Sequence, residues 1–183
     1  HSIEDFGSLG SAIKASFPSQ DAFDRHQEEV NAFWVLVEKR IEAAIPDPNG
    51  LIIYQDSMPV GDQKKAFALL DALANQSPNH LLIKKLRNQG AMLEGTEDPA
   101  LLCECAALYE SMFAMKSPAA QYAREHAFRA RMDELIHLRD LFIARRIRET
   151  LVGASIGILF LGRKHRIMPE LEKLPDEYTI VCL

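Results

Sequence analysis

Several apolar segments of the 183-residue chain run directly into side chains that can move a proton, hold an anion or ligate a metal. Asp56 follows Leu51-Ile52-Ile53-Tyr54, Glu97 and Asp98 follow Ala91-Met92-Leu93-Glu94-Gly95, and Gly162-Arg163-Lys164-His165-Arg166 follows Ile156–Leu161. Imidazole and carboxylate together suit a divalent ion such as Zn²⁺, Mn²⁺ or Fe²⁺, and equally suit general acid–base chemistry without a metal. Glu97, Asp56, His165 and Arg139 form the candidate catalytic set, and His1, Asp5, His165 and Glu97 the candidate metal ligands. Unlike a CxxC pair or an HExxH helix, these residues come from distant loops, so only the fold can assemble them.

Each candidate has a plainer alternative. Asp98 before Pro99 reads as a helix cap, whereas Gly95 lets the backbone turn and present Glu97 at a strand end. His165 lies in a basic turn that is either simply solvated or functional; with Arg163, Lys164 and Arg166 it could instead neutralise a phosphate or carboxylate. Arg139 stands out by position. Met132, Leu135, Ile136, Phe142, Ile143 and Ile147 trace one helical face, and residue 139 falls inside it. A guanidinium there must meet an acid or a ligand anion, because burying it unpaired is very costly. Asp56 or Glu97 would supply a structural pair, and a substrate anion is the competing partner. Asp140 is expected on a flank of that face and joins Arg163 and Lys164 as a ligand-binding candidate. Cys103 and Cys105 fall on nearly opposite faces of a helix, cannot jointly hold a metal, and read as core; His80 and His126 read as helix surface.

The elements that must position these groups follow from pattern. Ser19 or Asp21 can cap a helix reaching about Ile45, with Phe23, Val30, Phe33, Trp34, Val37 and Ile41 at helical spacing and Pro46 stopping it. Strands are expected at Leu51–Tyr54, Ala91–Gly95, Ile156–Gly162 and Tyr178–Leu183, the third being the clearest and covered on both faces. Helices are expected near Asp62–Asn75, Pro78–Asn88 after a Ser77 cap and Thr96–Met115, and over Pro118–Leu151 as one long helix or two abutting ones. This alternation predicts a three-layer α/β fold with a small, mostly parallel sheet and a high helix content, in a single domain spanning 1–183 with a helical subdomain around 100–150. In such sheets ligands gather beyond the carboxyl ends of the strands. The first residues fit two readings: a beginning in mid-motif, with a strand before His1, or a foreign His1-Ser2.

Composition narrows the classes. At 48% hydrophobic and 26% charged, with 9 Gly and 9 Pro, the chain is neither disordered nor collagen-like. No apolar run is long enough to span a bilayer, and no basic-then-apolar leader appears, so no membrane partner is expected. A net charge of −5 argues against general attraction to nucleic acid. Three cysteines make no even framework and suggest a reducing, cytoplasmic setting. The absence of GxGxxG, P-loop, GxSxG and HExxH motifs disfavours dinucleotide oxidoreductases, P-loop NTPases and α/β-hydrolase esterases.

The chain resembles a family of uncharacterised prokaryotic proteins through His1 with Asp5-Phe6-Gly7-Ser8-Leu9, Tyr54-Gln55-Asp56, Gly95-Thr96-Glu97-Asp98-Pro99, Arg139-Asp140, and Leu159-Phe160-Leu161-Gly162-Arg163-Lys164-His165. More distantly, the Arg-Asp helix followed by an apolar strand and Gly-x-x-His is similar to the C-terminal part of TraB/Tiki-type and erythromycin-esterase-like proteins. The chain lacks a clear N-terminal Gly-x-x-His loop of that kind unless the region around His1 replaces it. The resemblance implies metal-dependent or His/Glu-based hydrolysis, and haem-iron binding in a related branch. The leading expectation is an intracellular small-molecule hydrolase, either dependent on a divalent metal ion or built on His and carboxylate alone, with Glu97 and Asp56 as bases or ligands, His165 and His1 as ligands or proton carriers, and Arg139 orienting a carboxylate or stabilising an anion. The alternatives are a noncatalytic module that senses a small anion and a protein whose helices serve homo-oligomer contact.

Overall fold

The Ser19 hydroxyl accepts a hydrogen bond from the Ala22 N–H at 3.2 Å and so starts helix α1, Gln20–Ala44. The Ile45 N–H still bonds the Ile41 carbonyl at 2.7 Å, and Pro46 then ends the helix. The computed structural model describes residues 14, 17–61, 63–74, 77–115, 117–153, 155–173 and 179–181. His1 and Asp5 lie outside them. The elements that follow are β1 Ile52–Pro59, α2 Gln63–Ala74, α3 Pro78–Asn88, β2 Met92–Glu97, α4 Pro99–Phe113, α5 Pro118–Thr150, β3 Gly157–Phe160 and the short α6 Met168–Leu171.

The chain divides into two compact units, one of described residues within 1–51, 62–92 and 181–183, the other within 52–61 and 93–180. The first holds α1, α2 and α3. Helix α2 packs on α3, and α1 on α3. Pro78 presets the backbone of the first turn of α3 behind Ser77, which sits at the cap position without a side-chain cap bond. Of the expected apolar stripe of α1, Ile41 is buried while Phe33 stays 57% exposed.

The second unit carries the sheet core. Ile143, Ala144 and Ile147 of α5 pack with Ile52 and Tyr54 of β1 and with Ile167 and Leu171 at α6. The Tyr54 hydroxyl completes the contact by bonding Thr150 Oγ1 at 2.8 Å. Farther along α5, Met132, Leu135 and Ile136 pack with Cys105 of α4.

The fold is α/β and consistent with the expected three-layer class: helices account for 63% of the structure and flank a small open parallel sheet. Strand order is β2-β1-β3, so β1, first in sequence, lies in the middle. Ile52 pairs with Gly157, and the register runs to Gln55 opposite Phe160.

Several expectations need correction. β3 is an edge strand among the described residues, with Gly157 exposed and Leu159 half-buried, whereas residues 52–55 of β1 are fully buried. The unbroken apolar run predicts two covered faces, but Ile156 and Leu161, which extend it, lie outside the strand. β1 and β2 run farther than their apolar cores, so Asp56 and Glu97 are strand residues and not loop residues. Polar bonds sustain this extension: Thr96 Oγ1 donates to the Gln55 carbonyl at 2.5 Å. Gly95 makes no turn. A Cβ there would lie 2.6 Å from the Pro59 carbonyl oxygen, so the glycine admits the close approach of β1. Residues 179–181 of the expected last strand form no strand, and the rest of it is outside the described residues. Cys105 is buried but Cys103 is exposed, as their opposite helical faces require. His80 is buried, not surface, sharing the inward face of α3 with Ile83.

Candidate functional site

A β-strand followed by a helix N-terminus collects polar groups at the carboxyl edge of the sheet, and here three strands deliver them to one place. Asp56 comes from β1, Glu97 is the last residue of β2, and His165 lies in the turn after β3. Strand order reverses between β1 and β3, and it is across this step that the Gly162 N–H donates to Asp56 Oδ2 at 3.0 Å.

Helix α5 brings the cation. Its apolar periodicity carries Arg139 inward to 8% exposure. There Arg139 Nε donates to Glu97 Oε2 at 3.0 Å and Nη2 to Glu97 Oε1 at 2.6 Å, the two-pronged geometry that a guanidinium matches to a carboxylate. The same Nη2 lies 2.6 Å from Asp56 Oδ1. The expected pairing of Arg139 with Asp56 or Glu97 thus involves both. Next along the helix, Asp140 is not on a flank but buried, with Oδ1 2.6 Å from His165 Nδ1 and Oδ2 accepting from the Arg166 N–H at 2.8 Å. Both its oxygens are engaged within the chain, one on the His165 ring and the other on the Arg166 N–H. His165 Nε2 then points to Asp56 Oδ1 at 3.6 Å.

The backbone carries strain at the same spot. Ser57 has φ 65°, a left-handed conformation unusual for a residue with a Cβ, and its N–H is directed at Glu97 Oε1 at 3.4 Å. Its hydroxyl lies 3.2 Å from Asp56 Oδ1.

Burial and charge set the proton affinities. Burial alone would raise Asp56, but His165, Arg139 and the Gly162 N–H outweigh it and hold the carboxyl well below the usual range. For Glu97 burial prevails over the Arg139 pairing, with Asp56 adding to it, so this carboxyl is pushed up. Burial works against the charge of His165, yet the bonds to Asp140 and Asp56 push it up to about 9. Arg139 is likewise held charged by Glu97 and Asp56 against its burial.

One oxygen each from Asp56 and Glu97 and one ring nitrogen of His165 lie within 4.8 Å of one another, a donor group close enough for a single ion. Arg139 Nη2 already bridges the two carboxylates, and a protonated imidazole cannot ligate. A metal would have to displace the guanidinium and take the proton from His165.

Of the sequence candidates, Asp56, Glu97, Arg139, Asp140 and His165 converge. Arg163 and Lys164 do not join them; both are exposed and line a separate groove with Tyr109, Tyr122 and Phe128. Asp98 is the cap of α4, accepting from the Ala100 N–H at 2.8 Å. The sequence reading missed the role of Asp140, the Gly162 N–H and the groove aromatics. The last had a signal, since Tyr122, Glu125, Arg129 and Asp133 recur at three- and four-residue spacing on α5. Comparison of the chain with protein-family models, with curated proteins and with solved structures finds no match.

Proposed function

We propose that the protein is a hydrolase-type enzyme acting on a small molecule, with Glu97 and His165 as its acid–base pair. The observation that carries this reading is the meeting of three carboxylates, an imidazole and a guanidinium at the carboxyl edge of the sheet, with titration ranges driven apart. Protonated His165, fixed through Nδ1 by Asp140, gives a proton from Nε2 to the departing group. Once the substrate anion has drawn Arg139 from its carboxylate, Glu97, whose burial raises its proton affinity, takes one from the attacking water, and that proton returns to His165 when products leave. Asp56 is too weak a base for this step and holds His165 and Arg139 in place. Arg139 stabilises the developing anion. Asp56 and Arg139 are the most exposed members, with 12% and 10% of their side chains accessible, and mark the side of approach. The Arg139-Asp140 and Gly162-to-His165 resemblance to TraB/Tiki-type endings leans the same way, and free Cys103 and Cys105 fit a cytoplasmic setting.

A metal-dependent form of the same hydrolase is the second reading. It is favoured by Asp140 on Nδ1, which leaves Nε2 directed at Asp56, with Glu97 in the same donor group, as in many metal-binding histidines. Hydrolysis of a panel of p-nitrophenyl esters and phosphates by untagged protein, with metal content measured on the same sample, tests both. Turnover lost by about 100-fold or more in folded Glu97→Gln and His165→Gln supports the acid–base centre. Stoichiometric metal lost together in Glu97→Ala and His165→Ala assigns the metal form. Phosphate or carboxylate binding with no turnover across the panel overturns hydrolysis in favour of an anion-binding module.

A further inference from the structure

The turn that inserts His165 into the buried cluster sends its other side chains elsewhere. Arg163, Lys164 and Arg166 are exposed, and among the described residues none of the three side chains makes an ion pair. The backbone of the turn is nonetheless tied down, by the His165 N–H to the Gly162 carbonyl at 3.1 Å and the Arg166 N–H to Asp140 at 2.8 Å. These three cations line an open groove between α4 and α5. Its floor is aromatic: Tyr109 and Phe128 meet edge to face, ring centroids 5.5 Å apart, beside Met112. Tyr122 stands at the rim with 81% of its surface exposed. Glu125 in the wall is paired with Arg129 at 2.5 Å, which leaves Asp133 as the lining acid set against three unpaired cations. The groove is therefore positive on a chain of net charge −5.

We infer that this groove binds a small molecule with a planar aromatic ring and a phosphate or carboxylate: Tyr122 and the Tyr109–Phe128 pair take the ring, Arg163, Lys164 and Arg166 the anion. Aromatic faces accept a flat ring with little ordering cost, and cations borne on a fixed turn bind an anion without first having to be gathered. That the bound molecule is also the substrate of the neighbouring His165 rests on the hydrolase reading; the binding itself does not.

The probes are 1-naphthyl phosphate, inorganic phosphate and 1-naphthol, with binding followed by naphthyl fluorescence and by calorimetry on the full chain. Naphthyl phosphate is expected to bind about tenfold or more tighter than either half, and to weaken as salt is raised. Arg163→Glu combined with Lys164→Glu should weaken it by about tenfold, and Tyr122→Ala by about threefold, with thermal melting unchanged because these side chains are exposed. Equal binding of naphthyl phosphate and inorganic phosphate, or affinities unmoved by all of these substitutions, would overturn the site. Groove-dependent binding without release of naphthol keeps the site and removes the bound molecule as substrate of His165; release of naphthol that ignores the substitutions keeps the hydrolase and removes the groove as its substrate site.

Discussion

Two clusters of charge in this molecule use similar chemistry under opposite conditions. On the helices of the first unit, Lys85 of α3 reaches Glu38 and Glu42 of α1 at 2.5 and 2.8 Å, with side chains 34 to 53% exposed. In the second unit, Arg139 also bridges two acids, but its own side chain is 10% exposed and that of Glu97 is fully buried. Water solvates the first cluster whether or not its members touch. The second has no such alternative. Each charge depends on the others, and the proton affinities of Asp56, Glu97 and His165 move because of it. Distance alone does not make charges depend on one another for stability; distance in the absence of solvent does.

The largest break in the comparison is Arg139→Leu. It leaves Asp56 and Glu97 facing each other without their cation, and a loss on the order of 3–5 kcal/mol in urea denaturation is expected. Arg139→Leu with Glu97→Leu should recover much of that stability, since the second change removes the orphaned acid. If the double variant is no more stable than the single one, the coupling between these residues is not as drawn.

Next in size is pH. His165 has its proton affinity raised from 6.5 to about 9, so its contribution is complete below pH 6.5 and is lost as pH climbs through 9, at most about 3 kcal/mol. Asp56 is lowered from 3.8, so its contribution holds above that pH and is lost as pH falls below it. Glu97 is raised from 4.5 and opposes Asp56, costing stability as pH rises past 4.5. Denaturation midpoints between pH 6 and 10 should fall in the natural chain, and this slope should vanish in His165→Gln. A smaller effect is expected of Asp140→Asn: the imidazole of His165, followed by NMR, should titrate below about 9 yet above 6.5, because Asp56 still faces Nε2. Titration still near 9 would deny Asp140 its part.

How far the sequence reveals this centre depends on the periodicity each residue shares. Arg139 is legible because it interrupts an apolar helical face, and the burial it implies demands acids. Asp56 and Glu97 are legible because each closes an apolar run. The extents of β1 and β2 are not, because Gln55, Asp56 and Thr96 have no strand pattern and are held by cross-strand and ion-pair bonds. Asp140 escapes for a related reason: a turn of about 100° from Arg139 reads as a flank, and only the turn 25 residues later supplies the His165 ring and Arg166 N–H that draw it inward. Long-range partners decide such positions, and they leave no local trace.

The smallest effect belongs to the exposed cluster and is the control that gives the others meaning. The proximity of Glu38 and Glu42 raises the proton affinity of Lys85, just as acids raise that of Arg139. If short distances and raised affinity were enough, Lys85→Ala would be as damaging as Arg139→Leu. It should instead leave the denaturation midpoint within measurement scatter at physiological salt, because the two glutamates freed by the substitution are already hydrated and their mutual repulsion is screened. At low salt a small loss should emerge and disappear again as salt is added. The Arg139 variants should recover far less, since the fully buried Glu97 is out of reach of the ions that would have to screen it.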